Sequence, residues 1–315
     1  MTALDIAGPN SPFPSRRALL TAGTAAVTGA ALALASAAPA HATRDRRATA
    51  ERLRELERQH GARIGAFAYN VATKATVTYR ATDRFPLLSL FKTLAAAAIL
   101  RDKDENGETL GKRIHYTTDD LVKANSPITQ KPENLAGGLT VAELCDAAIR
   151  FSDNTAGNLL LRELGGPIAI TAFCRSLGDR ATCLDRWEPD VNTAEPWRVE
   201  DTTTPAAIAR TYGRLVLGDA LPPHDRDRLT AWLLANTTSG ERFRKALPPD
   251  WTIADKTGGG DYGSNNDVGI AWTPDGTPVI LAVLTTKPDR DAAPNHPLVA
   301  ETARILAEAV VQGSR

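Results

Sequence analysis

Charged and apolar positions interleave at helical spacing across residues 48–60, which predicts an amphipathic helix. Two strand-like runs follow, Arg63 to Tyr69 and Ala75 to Tyr79, separated by a polar turn. From Leu87 to about Ala220 the pattern is mostly helical, with polar loops between segments. Beyond it, Thr252 to Lys256, Asp267 to Trp272 and Pro278 to Thr285 alternate or run apolar, so they predict a strand meander. Thr273-Pro274-Asp275-Gly276-Thr277 supplies a hairpin turn between the last two, and the tract Tyr262 to Asp267 reads as a turn. A final helix, from about Leu298 to Val311, stops at Gly313.

Strands at both ends of the chain with helices between them predict an α/β fold of the α+β kind. One antiparallel sheet, built from residues of about 48–86 and 221–315, is flanked by helices, and an all-helical lobe of about 87–220 is inserted into it. The cleft between the two lobes is where a site is expected. No internal repeat is present.

Lys plus Arg and Asp plus Glu each number 37 in the 315 residues, so no overall charge excess draws nucleic acid or an anionic membrane, and a small-molecule substrate fits better. The first residues change the picture of where the protein works. Ser15-Arg16-Arg17-Ala18-Leu19-Leu20 precedes an uncharged Ala/Leu/Val/Thr stretch that closes on Ala40-His41-Ala42. This reads as a twin-arginine export signal, residues 1–42, cleaved after Ala42, rather than as an uncleaved anchor, because the stretch is rich in Ala, Gly and Thr and ends in Ala-x-Ala. The mature catalytic domain is then 43–315, secreted or periplasmic, monomeric and without stable membrane contact. Three cysteines leave at least one thiol unpaired. Cys145 shares a helical face with Val141, Leu144, Ala148 and Ile149 and reads as a small buried hydrophobe, whereas Cys174 and Cys183 are nine apart and either pair or do not.

Three short signals carry the candidate chemistry. Ser89 is the one serine of ten followed three residues later by a lysine, Lys92, and the run Thr93 to Leu100 behind it has high helix propensity and little polarity. At i and i+3 the two side chains share a face, so the hydroxyl sits beside an amine whose proton affinity burial can tune, while the helix N-terminus offers N–H groups to a developing oxyanion. Ser152-Asp153-Asn154 adds a second hydroxyl and also reads as a helix start. Lys256-Thr257-Gly258-Gly259-Gly260 ends a strand, and its glycines let a ligand lie against the strand edge. A nucleophile, a lysine, a second hydroxyl and a lysine beside a glycine turn meet the needs of amide-bond chemistry. Rival chemistries are poorly supplied: His60, His115, His224 and His296 are scattered without ligand spacing, and neither a Gly-x-Ser-x-Gly elbow nor a phosphate-cradling glycine loop is present.

Over nearly all of residues 48–311 the chain resembles the class A serine beta-lactamases, a branch of the penicillin-recognising serine enzymes. The resemblance implies hydrolysis of the ring of penicillin-type antibiotics through a serine acyl-enzyme, with Ser89 as nucleophile, Lys92 beside it, Ser152 delivering a proton to the leaving nitrogen and Asn154 binding the substrate side-chain amide. Lys256, Thr257 and Arg242 would hold the substrate carboxylate along Gly258, and Gly259 N–H would complete an oxyanion hole with Ser89 N–H. Leu184 to Asn192, closed by Asp201 to Pro205, is similar to the omega loop of that family, which implies Glu188 as general base for water, Asn192 as its companion and an Arg186 to Asp201 ion pair at the neck. No metal or cofactor is implied. The same three motifs also occur in D-alanyl-D-alanine peptidases, which lack a base at the position of Glu188; a penicillin sensor domain, the other rival, would require a transmembrane partner segment, which nothing beyond the cleavable signal supplies.

Overall fold

The computed structural model describes residues 37–312; the export signal read over residues 1–42 falls almost wholly outside them. Contacts divide the chain into Met1–Ala40 and His41–Arg315, and the second unit carries everything that follows. Helix α1 (Ala37–His60) leads into strands β1 (Arg63–Asn70) and β2 (Thr76–Tyr79), and the chain returns late to add β3 (Thr252–Gly259), β4 (Asn265–Trp272) and β5 (Pro278–Thr286). The five strands form one antiparallel sheet in the order β2-β1-β5-β4-β3, so the two ends of the sequence meet where β1 pairs with β5, Ala66 opposite Val283.

Alternation along these strands works because both faces are covered. On β5, Val279, Leu281 and Val283 pack with Leu53 and Leu56 of α1 and with Leu298 and Leu306 of the terminal helix (His296–Gln312). Ile280, Ala282 and Leu284 face the opposite way, into the larger core that holds the inserted helices. Those helices are α2 (Phe91–Asp102), α3 (Val141–Arg150), α4 (Asn154–Leu164), α5 (Ile168–Ser176), α6 (Pro205–Val216) and α7 (Pro223–Leu234); α8 is the terminal helix.

Every residue of α2 from Phe91 to Leu100 is buried. A helix buried on all sides belongs at the centre of a lobe, and its four alanines, Ala95 to Ala98, let α3, α4, α5 and α7 close around it. Lys92 is the anomaly in that helix, a cation at 0 % exposure, and it has to be compensated by polar partners.

The structure differs from the sequence reading at Asn265 and Asn266, and of the two readings given for Asp267, turn end and strand start, it has the strand. Only Tyr262–Ser264 is a turn, and the next three residues enter β4 opposite Thr257, Gly258 and Gly259. Their polarity suggested a turn, but the sheet and the segments beside it supply partners: Asn266 Nδ2 donates to Pro86 O at 2.8 Å, Asp267 accepts from Phe243 N at 3.1 Å, and Asn265 O accepts from Thr285 Oγ1 at 2.8 Å. All three cysteines carry free thiols; Cys145 and Cys174 are buried, and burial pushes both thiols up. No described helix is long and apolar enough to cross a membrane.

Candidate active site

Ser89 lies in a single 3-10 turn, Leu88–Leu90, that runs directly into α2. Leu88 has φ +54°, and the turn packs so closely on β3 that a Cβ at Gly258 would come within 2.8 Å of Leu88 Cβ. At the second position of α2, Lys92 Nζ donates to Ser89 Oγ at 2.9 Å, to Ser152 O at 2.8 Å and to Asn154 Oδ1 at 2.6 Å. It also lies 3.0 Å from Glu188 Oε1, in a pair with no exposed side-chain surface on either partner. Burial lowers the proton affinity of Lys92, and the Glu188 charge opposes that without cancelling it.

The Ser152–Asn154 segment is a shaped loop ahead of α4. Its helix cap is Asp153, not Ser152: the Asp153 carboxylate accepts from Ala156 N at 2.9 Å and from Ile128 N, Thr129 N and Thr129 Oγ1 at 2.9–3.0 Å. Releasing Ser152 from capping leaves it at φ +55°, with its hydroxyl 3.0 Å from Lys256 Nζ and 3.4 Å from Lys92 Nζ. Asn125 secures the same loop, donating from Nδ2 to Ser152 O and accepting from Asn154 N, both at 2.8 Å.

Lys256 and Thr257 are buried on β3, whereas Gly259 is exposed and open, with no atom within 4 Å of where a Cβ would stand. Burial drives the Lys256 pKa well down, and the nearby positive charges of Lys92 and Arg242 add to the effect. Arg242 is 7 % exposed; Nε donates to His296 Nδ1 at 3.0 Å, and Nη1 donates to Gly258 O at 3.3 Å and Asn266 O at 2.8 Å. Its Nη2 makes no hydrogen bond among the described residues, which leaves a cationic donor beside the β3 edge.

The loop from Leu184 to Pro205 closes the cleft. At its neck Asp201 accepts from Arg186 Nε, from Asp185 N at 2.8 Å and from Arg186 N at 3.0 Å, while Glu195 takes a second guanidinium contact at 3.3 Å. This geometry brings Glu188 to the nucleophile: Ser89 Oγ donates to Glu188 Oε1 at 3.4 Å, across 99 residues of sequence, and Asn192 Nδ2 donates to Oε2. Hydrogen bonds thus join Ser89, Lys92, Ser152, Asn154, Glu188, Asn192 and Lys256 in one network; Thr257, Gly258 and Gly259 continue the strand that carries Lys256, Arg242 bonds to Gly258, and the Arg186 and Asp201 neck ties the loop that carries Glu188.

Three supporting residues escaped the sequence reading. Asn158 clamps Glu188 by its backbone, accepting from Glu188 N and donating to Glu188 O, both at 2.9 Å. Its position four residues after Asn154 on one face of α4 was the available signal. Asp153 was hidden because Ser152 and Asp153 are about equally good N-caps, so the triplet alone does not choose between them. His296 had no local signal, since it meets Arg242 only across 54 residues.

Comparison with known proteins gives a family model, the beta-lactamase enzyme family, that matches residues 48–312. The chain is 61 % identical over 301 residues to a beta-lactamase of Streptomyces fradiae, covering 94 % of this chain and 97 % of that one. It is similar to the solved beta-lactamase from Streptomyces albus G at 60 % identity and TM-score 0.82, covering 84 % of this chain and 99 % of that one. The solved beta-lactamase from Streptosporangium roseum aligns at 44 % identity and TM-score 0.81, covering 84 % and 99 %.

Proposed function

The chain belongs to the class A beta-lactamases, hydrolases that open the beta-lactam ring, and from that premise we propose that the ring is opened by Ser89 and the resulting ester is cleared by water that Glu188 activates. The observation that carries this reading is a buried carboxylate, Glu188, 3.4 Å from Ser89 Oγ and oriented by Asn192. Peptidases with the same three motifs have no such base and stay acylated.

In acylation, the Ser89 proton passes to Lys92, 2.9 Å from Oγ, or to water held by Glu188, whose Oε1 is 3.4 Å from Oγ, as the oxygen attacks the lactam carbonyl. The developing oxyanion is met by the N–H groups of Ser89 and Gly259, and one such donor is worth about 10²–10³ in rate. The leaving nitrogen takes its proton through Ser152, whose hydroxyl lies 3.0 Å from Lys256 Nζ. Lys256, Thr257 and the free Nη2 of Arg242 hold the substrate carboxylate beside Gly258, and Asn154 binds the side-chain amide. Glu188 then takes a proton from water as that water attacks the ester, with Asn192 holding both, a contribution of about 10²–10⁴-fold. The test is Glu188→Ala: an acyl adduct accumulates and is seen by intact mass, and rapid turnover by the variant removes the assignment.

Penicillins are the preferred substrates in this reading, because Gly259 offers no side-chain hydroxyl and Ala124 and Asn125 place no aromatic ring at the cleft mouth. Equal kcat/KM on third-generation cephalosporins refutes the preference. Residues 1–42 act as a twin-arginine signal, and the catalytic domain 43–315 works outside the membrane as a monomer. Terminal sequencing of the exported protein should then begin at Thr43.

A further inference from the structure

The chain is neutral as a whole, yet its charge is not evenly spread. Arg84, Arg180, Arg210 and Arg214, with Thr82 and Asp179, line a groove of about 530 Å³. It lies between the segment after β2, the loop after α5 and the first three turns of α6. None of the four guanidinium groups has a carboxylate oxygen within 4 Å among the described residues, although most arginines elsewhere on the surface are so paired.

Their present partners use few of their donors. Arg84 Nη1 donates to Ala181 O at 2.9 Å and Thr202 Oγ1 at 2.8 Å, and Arg214 Nη1 donates to Leu177 O at 2.8 Å. Arg210 lies over the Phe67 ring at 5.7 Å, and Arg180 makes no hydrogen bond among the described residues. Each guanidinium carries five N–H groups, so most of the donors at this groove are open.

The one carboxylate present does not neutralise them by contact. Asp179 is spent on its own loop and on α6: Oδ1 accepts from Ala181 N and Thr182 N, both at 2.9 Å, and Oδ2 accepts from Thr182 Oγ1 at 2.5 Å and Thr211 Oγ1 at 3.0 Å. Four cations against one committed anion leave a positive field, and the N-terminus of the 12-residue helix α6 adds to it. Clustered like charges repel, so the arrangement favours an anion that bridges them. Planar guanidinium forks match the oxygens of phosphate two at a time, and several forks around one groove match several adjacent phosphates better than one.

We propose that this groove, separate from the catalytic residues, binds a ligand that carries neighbouring phosphate groups, with Arg84, Arg180, Arg210 and Arg214 as its contacts. Two sources supply that chemistry, a free polyphosphate and a phosphodiester polymer. The inference stands independently of the acyl-enzyme reading.

The experiment is calorimetric titration of the full chain with inorganic tripolyphosphate, with a glycerol-phosphate oligomer and with monophosphate, at low and at physiological salt. At least one of the first two binds saturably and about tenfold or more tighter than monophosphate, and the binding weakens as salt rises. Tripolyphosphate alone assigns a free polyphosphate; a tighter oligomer assigns a polymer. The pair Arg210→Gln with Arg214→Gln weakens binding about tenfold or more, while unchanged lactam hydrolysis shows that this variant is folded. Arg180→Gln, on an exposed loop, weakens it separately. Absence of saturable binding to both phosphate chains, or equal binding by wild type and both variants, overturns the proposal.

Discussion

Asn158→Ala tests how far Glu188, the carboxylate proposed as the deacylation base, depends on a residue that is not itself assigned a chemical step. The substitution removes two hydrogen bonds of 2.9 Å, one to Glu188 N and one to Glu188 O, and leaves both backbone groups without their partner. At about 1 kcal/mol net for each bond, the closed loop loses about 2 kcal/mol, which raises the ratio of open to closed loop about 30-fold. The neck at Arg186 and Asp201 and the Asn192 contact remain, so the loop stays attached while Glu188 drifts. A displacement of about 1 Å at a reacting group costs about 10² in rate. Through that displacement deacylation should fall by up to about 100-fold, whereas acylation falls less because Lys92 remains a second acceptor for the Ser89 proton. Stopped-flow kinetics with a penicillin separates the two steps, and hydrogen exchange at residues 185–195 reports the opening. A deacylation constant within about threefold of wild type, with unchanged exchange in the loop, would refute the argument.

Asp201→Asn keeps acceptors for the Asp185 and Arg186 amides but sets an N–H₂ against Arg186 Nε; with the Asp201 side chain 2 % and the Arg186 side chain 22 % exposed, the loss is about 2–3 kcal/mol. Chemical denaturation should show that loss together with slower penicillin hydrolysis, and an unchanged midpoint with unchanged rate counts against it. The charge on Lys256 is present below its depressed pKa and lost as pH rises through it, so KM for carboxylate-bearing substrates should climb on the alkaline side earlier than an ordinary lysine allows. Lys256→Arg keeps its charge, and a KM profile that rises identically in both proteins would exclude Lys256 as the titrating group.

The sequence by itself determined the pieces whose logic is local. Ser89 and Lys92 are one helical turn apart in any α-helix, the apolar run behind them could only be a buried helix, and the Thr273 to Thr277 turn and the alternation of the strands fixed the sheet. Family resemblance carried Glu188, Asn192 and the Arg186 to Asp201 neck, because nothing in spacing alone ties residue 188 to residue 89. Only the tertiary structure decided what depends on distant atoms. It chose Asp153 over Ser152 as the cap of α4, since the carboxylate also satisfies the backbone near Thr129, and it put the polar Asn265 and Asn266 into a strand because the sheet and the segments beside it supply partners. It left the three thiols unpaired, attached Asn158 to Glu188 and His296 to Arg242, and collected four arginines from three segments into one groove. Propensity and periodicity act within a few residues of the chain, whereas compensation of a buried charge or an unpaired donor is settled by whichever side chain folding brings within about 3 Å.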